Sequence, residues 1–170
     1  VQTCALPIWY CIDIYRFGVM GESAGGHLAA LAGLTGDDKK YDRGDYLEHS
    51  SAVQAVCPWY PPADIRLISK EDQTKMALTP EAMLVGGSGT PDACPVKYVT
   101  KLAPPFLILH GLCDHTVPFS QGESLHDELE KQGADVRLVA IEDADHADLH
   151  FFQQEVWDII IDFFKDKIGR

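Results

Sequence analysis

Basic residues are scarce in this chain: 14 Lys and Arg stand against 26 Asp and Glu over 170 residues, a formal net charge of −12. That balance argues against nucleic acid and anionic lipid surfaces as partners, because both repel a negative chain. It says little about a neutral ester or sugar. No apolar stretch is long enough to span a membrane, although 46% of the residues are hydrophobic. The cysteines (Cys4, Cys11, Cys57, Cys94 and Cys113) form no C-x-x-C pair and no zinc-binding spacing. Their odd number leaves at least one unpaired within the chain. It also leaves the redox compartment open, and with it a cytoplasmic or a secreted location. Internal repeats and low-complexity tracts are missing too. The length suits one domain with a real core and does not clearly suit two.

The first residues, Val1-Gln2-Thr3-Cys4-Ala5-Leu6-Pro7-Ile8, read as neither signal peptide, strand nor helix. They resemble the conceptual translation of a sequencing adapter. The native sequence is expected to resume near Trp9, with whatever preceded it lost. On that reading Cys4 drops from the count, and the lack of a targeting signal carries no meaning.

The informative stretch is Gly21-Glu22-Ser23-Ala24-Gly25-Gly26. A short apolar run, Phe17-Gly18-Val19-Met20, precedes it, and an Ala/Leu-rich run from His27 to Leu34 follows. Strand, sharp turn and helix around G-x-S-x-G describe a nucleophile elbow, in which a strained turn lifts a serine hydroxyl clear of the sheet. Gly21 and Gly25 are expected to leave room where side chains would strike the neighbouring strand and helix. The helix behind Ser23 presents N–H groups and the positive end of its dipole to the reaction centre. The G-K-[ST] continuation of a phosphate-cradling loop does not follow.

Taken in order, Trp9 to Tyr15 reads as a helix tail and loop, with Asp13 suited to capping a short turn. Phe17 to Met20 is a continuous apolar run, as in a parallel strand buried on both faces. The helix from Ala24 to Leu34 carries little polar surface beyond His27 and is expected to be buried. Thr35-Gly36-Asp37-Asp38 ends it, and Lys39 to Ser50 is a surface loop. Val53 to Trp59 is the second strand, stopped by Pro58, Pro61 and Pro62. Periodicity fades over about 61–104, read as an irregular insertion over the active-site face, with a mobile linker as the alternative. It has a helical turn at Glu81 to Val85, a loop at Gly86-Gly87-Ser88-Gly89 and a short element from Pro95 to Lys101. Phe106 to His110 is the third strand. A helix follows, with Ser120 and Glu123 as a capping box and Gly133 past its end. Val136 to Ile141 is the fourth strand. The last helix runs from Phe151 to Lys167, with Phe152, Val156, Ile159, Ile160, Phe163 and Phe164 on one face. Strands alternating with helices predict an α/β fold: a parallel sheet with helices on both faces.

In such sheets function collects at the carboxyl ends of the strands. Ser23, Asp114 and His146 each follow a strand and fall on that one edge. A serine hydroxyl is a weak nucleophile and needs a histidine to take its proton. The histidine needs a carboxylate to fix its tautomer. The chain order Ser23, Asp114, His146 supplies all three. Asp143 and Asp145 are rival acids too close in sequence to His146 to orient it easily, and His150 is a rival base. His110 is read as a structural hydrogen-bonding residue, His27 as packing or capping, and His49, His115 and His126 as surface residues. Asp143, Asp145, His146, Asp148 and His150 offer metal-binding residue types but no recognised ligand spacing. The Ala24 N–H is one expected oxyanion donor. A second is expected from a loop between an earlier strand and helix.

With these residues in view, the chain resembles α/β-hydrolases of the hormone-sensitive-lipase-like esterase group, within it the bacterial acetylxylan and feruloyl esterase type. The likeness runs from about Trp9 to the end. It is carried by Arg16-Phe17-Gly18-Val19-Met20-Gly21-Glu22-Ser23-Ala24-Gly25-Gly26-His27-Leu28-Ala29-Ala30, by Ala103-Pro104-Pro105-Phe106-Leu107-Ile108-Leu109-His110-Gly111, by Asp114 with Val117-Pro118, and by Asp145-His146. The resemblance implies the C-terminal part of that fold. It implies a serine carboxylic ester hydrolase that uses no cofactor, acting on a small-molecule or carbohydrate ester such as acylated plant polysaccharide. The family's first strands and its oxyanion loop, often His-Gly-Gly-Gly, do not occur in the sequence. Glu142-Asp143 stands where a glycine is frequent, and Cys11 where a small residue is usual. Two other readings compete. An oligopeptidase of the same fold usually carries a bulky aromatic in the elbow, where this chain has Glu22 and Ala24. A catalytically inert fragment would leave the Phe17–Met20 strand with one unpaired edge.

Overall fold

The computed structural model describes residues 10, 12–13, 15–45, 47–65 and 91–169. The leader 1–8, Trp9, Cys11 and the expected turn and loop at 81–89 lie outside the described residues. Four strands form one parallel sheet: β1 (Gly18–Glu22), β2 (Ala55–Trp59), β3 (Phe106–Gly111) and β4 (Val136–Ile141), side by side in chain order. Helices α1 (Ala24–Thr35), α2 (Ser120–Lys131) and α3 (Gln154–Ile168) connect or follow them.

Successive strand residues point to opposite faces, and the two cores follow that alternation. Val56, Phe106 and Ile108 pack with Ala29 and Ala30 of α1 and Leu125 and Leu129 of α2. Cys57, Trp59, Leu107 and Leu109 pack on the other face with Phe151 and with Val156 and Ile160 of α3. Helices therefore cover both faces, as expected. Each fully buried Leu or Phe here contributes about 1.5–3 kcal/mol relative to exposure. This two-sided burial holds the strand tips in a fixed row.

Several local expectations change. β1 is not buried on both faces: Gly18, Met20 and Glu22 are exposed and Val19 and Gly21 half-buried. It is the end strand among the described residues, so only β2 pairs with it, although Val19 packs toward α1 and Gly18 lies against Phe164 and Ile168 of α3. In α1, Gly26, His27, Ala29 and Ala30 are buried but Leu28 is 62% exposed. Pro58 lies inside β2 and does not stop it. In a parallel ladder alternate residues of a strand serve alternate neighbours. Val56 and Tyr60 donate to Pro105 and Leu109 on the β3 side, so the missing N–H of Pro58 falls between them. The β2–β3 ladder skips there, pairing Val56 with Phe106 and Trp59 with Leu109, while the β1–β2 ladder runs unbroken.

The capping box does not form. Phe119 already has helical backbone angles and is the N-cap, without a side-chain cap bond, which places Ser120 inside the first turn. Gly133 does stand past the helix end, its N–H donating to Glu130 O. The last helix starts later than expected. Leu149–Phe152 is a 3₁₀ turn, Gln153 is extended, and Phe152 is exposed and off the α3 apolar face. Asp13 caps a turn as expected, accepting the Tyr15 N–H at 3.0 Å. Of the expected insertion, the described part holds two 3₁₀ turns, Pro91–Ala93 and Pro95–Tyr98.

Candidate active site

Ser23 occupies the turn between β1 and α1 with φ 51° and ψ −118°. That left-handed φ is costly for a residue with a Cβ. Two backbone bonds hold it: Ser23 N–H donates to Trp59 O at 3.0 Å, and His27 N–H donates to Ser23 O at 2.9 Å. The tightness comes from Gly21 and Gly26. A Cβ on Gly21 would strike the Gly25 carbonyl, and one on Gly26 would lie 2.6 Å from Trp59 O. Gly25, expected to fill this role, has nothing within 4 Å of its would-be Cβ. The close approach is one residue later because Gly26 faces the tip of β2. Ala24 is the first residue of α1. Its N–H lies ahead of the first intrahelical bond and so has no intrahelical carbonyl.

Asp114 follows β3, and its side chain is fully buried. Oδ1 accepts from the N–H groups of Thr116 at 2.9 Å and Val117 at 2.7 Å. Oδ2 faces His146 Nδ1 at 2.8 Å. Behind this loop sits His110, also buried, with Nε2 2.9 Å from Val117 O. Only an Nε2–H can donate to that carbonyl. Burial lowers the pKa of His110, against the smaller opposing effects of the Val117 bond and Asp114. It serves as the structural hydrogen-bonding residue expected of it.

His146 follows β4. Asp143 and Ala147 on either side of it both have φ 56°, a compact loop that turns the imidazole inward. Its Nε2 lies 2.8 Å from Ser23 Oγ, a contact between residues 123 positions apart. One imidazole thus bridges the serine and the aspartate through opposite ring nitrogens. Because both Asp114 oxygens serve as acceptors, His146 carries its hydrogen on Nδ1 and offers Nε2 to the hydroxyl.

The rivals lie elsewhere. Asp145 accepts the N–H of His146 at 2.7 Å and of His115 at 3.0 Å, bonds to backbone that hold its pKa below the ordinary value. It shapes the loop and does not meet the ring. His150 Nδ1 pairs with Asp148 at 2.7 Å. His27 is buried against Pro62 O at 2.7 Å. His115 is exposed, and His126 is in contact with Asp127. Among the described residues no three His, Cys, Asp or Glu side chains gather as a metal site.

Sequence reasoning missed Tyr60. It directly follows β2, fully buried, with its ring centroid 4.6 Å from that of His146 and its hydroxyl 2.7 Å from Glu22 Oε2. The usable signal was its place at the carboxyl edge of the sheet, where Ser23, Asp114 and His146 also stand.

A parallel sheet covered by helices on both faces, with a serine elbow after a strand, defines an α/β-hydrolase fold. Residues 8–129 match the BD-FAE family, and the chain belongs to it. It is similar to LipM, a probable carboxylic ester hydrolase of Mycobacterium tuberculosis, with 34% identity over 141 residues, covering 79% of this chain and 31% of LipM. The chain therefore spans about a third of the length of that curated relative. Among solved structures it is similar to a truncated form of a carbohydrate esterase from gut microbiota: TM-score 0.88, 29% identity, 98% of this chain and 65% of the other. It is also similar to a bifunctional GH43-CE protein of Bacteroides eggerthii, with TM-score 0.86, 31% identity, 97% of this chain and 23% of the other.

Proposed function

We propose that this chain carries the serine, histidine and aspartate of a carboxylic ester hydrolase that works through an acyl-enzyme. The observation that carries this reading is the single imidazole 2.8 Å from Ser23 Oγ on one side and 2.8 Å from Asp114 Oδ2 on the other. His146 Nε2 takes the proton as Ser23 Oγ attacks the ester carbonyl, and Asp114 stabilises the imidazolium. The tetrahedral oxygen faces the start of α1, where Ala24 N–H is the proposed donor. The second donor in this fold comes from a loop ahead of the elbow strand. His146 then returns the proton to the leaving alcohol. Water attacks the acyl carbonyl with the same nitrogen as base, and Ser23 is released.

For the substrate we propose the acyl esters of plant polysaccharide, acetyl or feruloyl. Support comes from the likeness to a protein described as a carbohydrate esterase. The test uses a fluorophosphonate probe and p-nitrophenyl acetate, followed by acetylated xylan and a peptide panel. A protein that carries this chain together with the oxyanion loop is expected to label and to turn over ester but not peptide, and its Ser23→Ala variant to do neither. Equal labelling and turnover in Ser23→Ala would refute the serine mechanism.

A further inference from the structure

The His146 imidazole hydrogen-bonds Asp114 through Nδ1 and Ser23 through Nε2, and it meets the Tyr60 ring. The first two lie at opposite ends of the ring and leave it free to tilt about the line joining them. Tyr60 meets it edge-to-face, the planes 62° apart with centroids 4.6 Å apart. That contact opposes the tilt.

Tyr60 is itself tightly fixed. Its N–H donates to Leu109 O at 2.6 Å, and its hydroxyl donates to Glu22 Oε2 at 2.7 Å. The Phe151 ring, in the same core, packs edge-on against it with centroids 4.6 Å apart. The backbone at Tyr60 has φ 36°, a region non-glycine residues rarely occupy. Such conformations persist where the surroundings over-determine them, and they gather at functional sites. Burial first, then the Glu22 bond, raises the pKa of the phenol, so it remains an O–H donor. Glu22 is the residue immediately before Ser23, so this one side chain ties the elbow to the histidine.

We propose that Tyr60 is the positioning residue for His146, holding the imidazole plane when Ser23 cannot. This rests on the serine mechanism above. During acylation the Ser23 hydroxyl donates to Nε2 and helps hold the ring. In the acyl-enzyme Oγ is esterified and has no proton to donate. Of these three interactions Asp114 and Tyr60 then remain, while Nε2 must receive a proton from an incoming water. Tyr60 therefore matters more for deacylation than for acylation.

The experiment is pre-steady-state hydrolysis of p-nitrophenyl acetate by wild type, Tyr60→Phe, Tyr60→Leu and Ser23→Ala. Removing the ring should slow deacylation about 30-fold and acylation about threefold, within the loss a small misplacement of a catalytic group causes. Tyr60→Leu then shows a burst of one nitrophenolate per site before a slow steady state, the kinetic sign of an accumulated acyl-enzyme. Tyr60→Phe, which keeps the ring, shows no burst. If Tyr60→Leu does not fold, Tyr60→Met fills similar space without a ring and takes its place. Equal slowing of both steps, no slowing, or a burst in Tyr60→Phe overturns the role of the ring. Those results leave the serine mechanism standing as long as Ser23→Ala is inactive. An active Ser23→Ala removes the mechanism itself.

Discussion

Asp114 shows how one side chain sets the chemistry of another. Its Oδ1 takes two backbone N–H bonds, so in Asp114→Asn the amide oxygen must stay there and the NH₂ must turn toward His146. The imidazole would then accept at Nδ1 and carry its hydrogen on Nε2, leaving no base for Ser23. We expect Asp114→Asn to fold normally and to lose ester turnover by about 10⁴-fold, the loss that tautomer inversion causes in a serine protease. Steady-state kinetics beside a thermal melt check both halves. His110 gives a second prediction. Burial holds its pKa below the ordinary 6.5, so below that pH the unfolded chain binds a proton that the folded chain does not. Its contribution to stability is complete above pH 6.5 and falls as the pH drops below it. His110→Gln keeps a donor for Val117 O and should flatten that decline, read by urea unfolding at pH 7 and pH 5. The candidate relay was legible in the sequence because nucleophile, acid and base are chemically distinctive types, each just past an apolar run. Tyr60 was not, because an aromatic beside prolines has no chemical signature and acts here only through contact.

At the scale of elements, apolar runs marked all four strands to within two residues. Helix starts were harder to read. Ser120-x-x-Glu123 has the letters of a capping box, yet the chain enters α2 one residue earlier, through Phe119. Ser120→Ala should therefore cost under about 0.5 kcal/mol, where loss of a working N-cap costs about 1. Chemical denaturation measures the difference, and a loss near 1 kcal/mol would put the hydroxyl back in the cap. Pro58 misled for a related reason. A proline forbids one hydrogen bond, and whether that ends a strand depends on which neighbour the missing N–H faced. In β2 the neighbouring bonds on either side carry the strand through. The extended angles of Gln153 likewise split one apolar pattern into a 3₁₀ turn and α3.

At the scale of the molecule, the burial of β1 could not be read from its sequence. An apolar run reports the character of a strand but not whether it lies inside a sheet or at its end. Among the described residues Met20 at 41% and Leu28 at 62% exposure line the β1 end of the sheet, and the net charge of −12 opposes the approach of a second copy. Salt weakens that repulsion as the Debye length falls from about 10 Å at 0.1 M to about 3 Å at 1 M. The weight-average mass in light scattering is expected to rise with salt, and Met20→Lys to suppress the rise. A mass that stays flat across salt would show that the edge is already protected. The bridge between Ser23 and His146 has one more use. Among the described residues it joins the tip of the first β-strand to the loop after the fourth. A reagent that caps that single hydroxyl would thus count, molecule by molecule, the copies in which every layer between has closed, and a gel lane would serve as a gauge of complete folding.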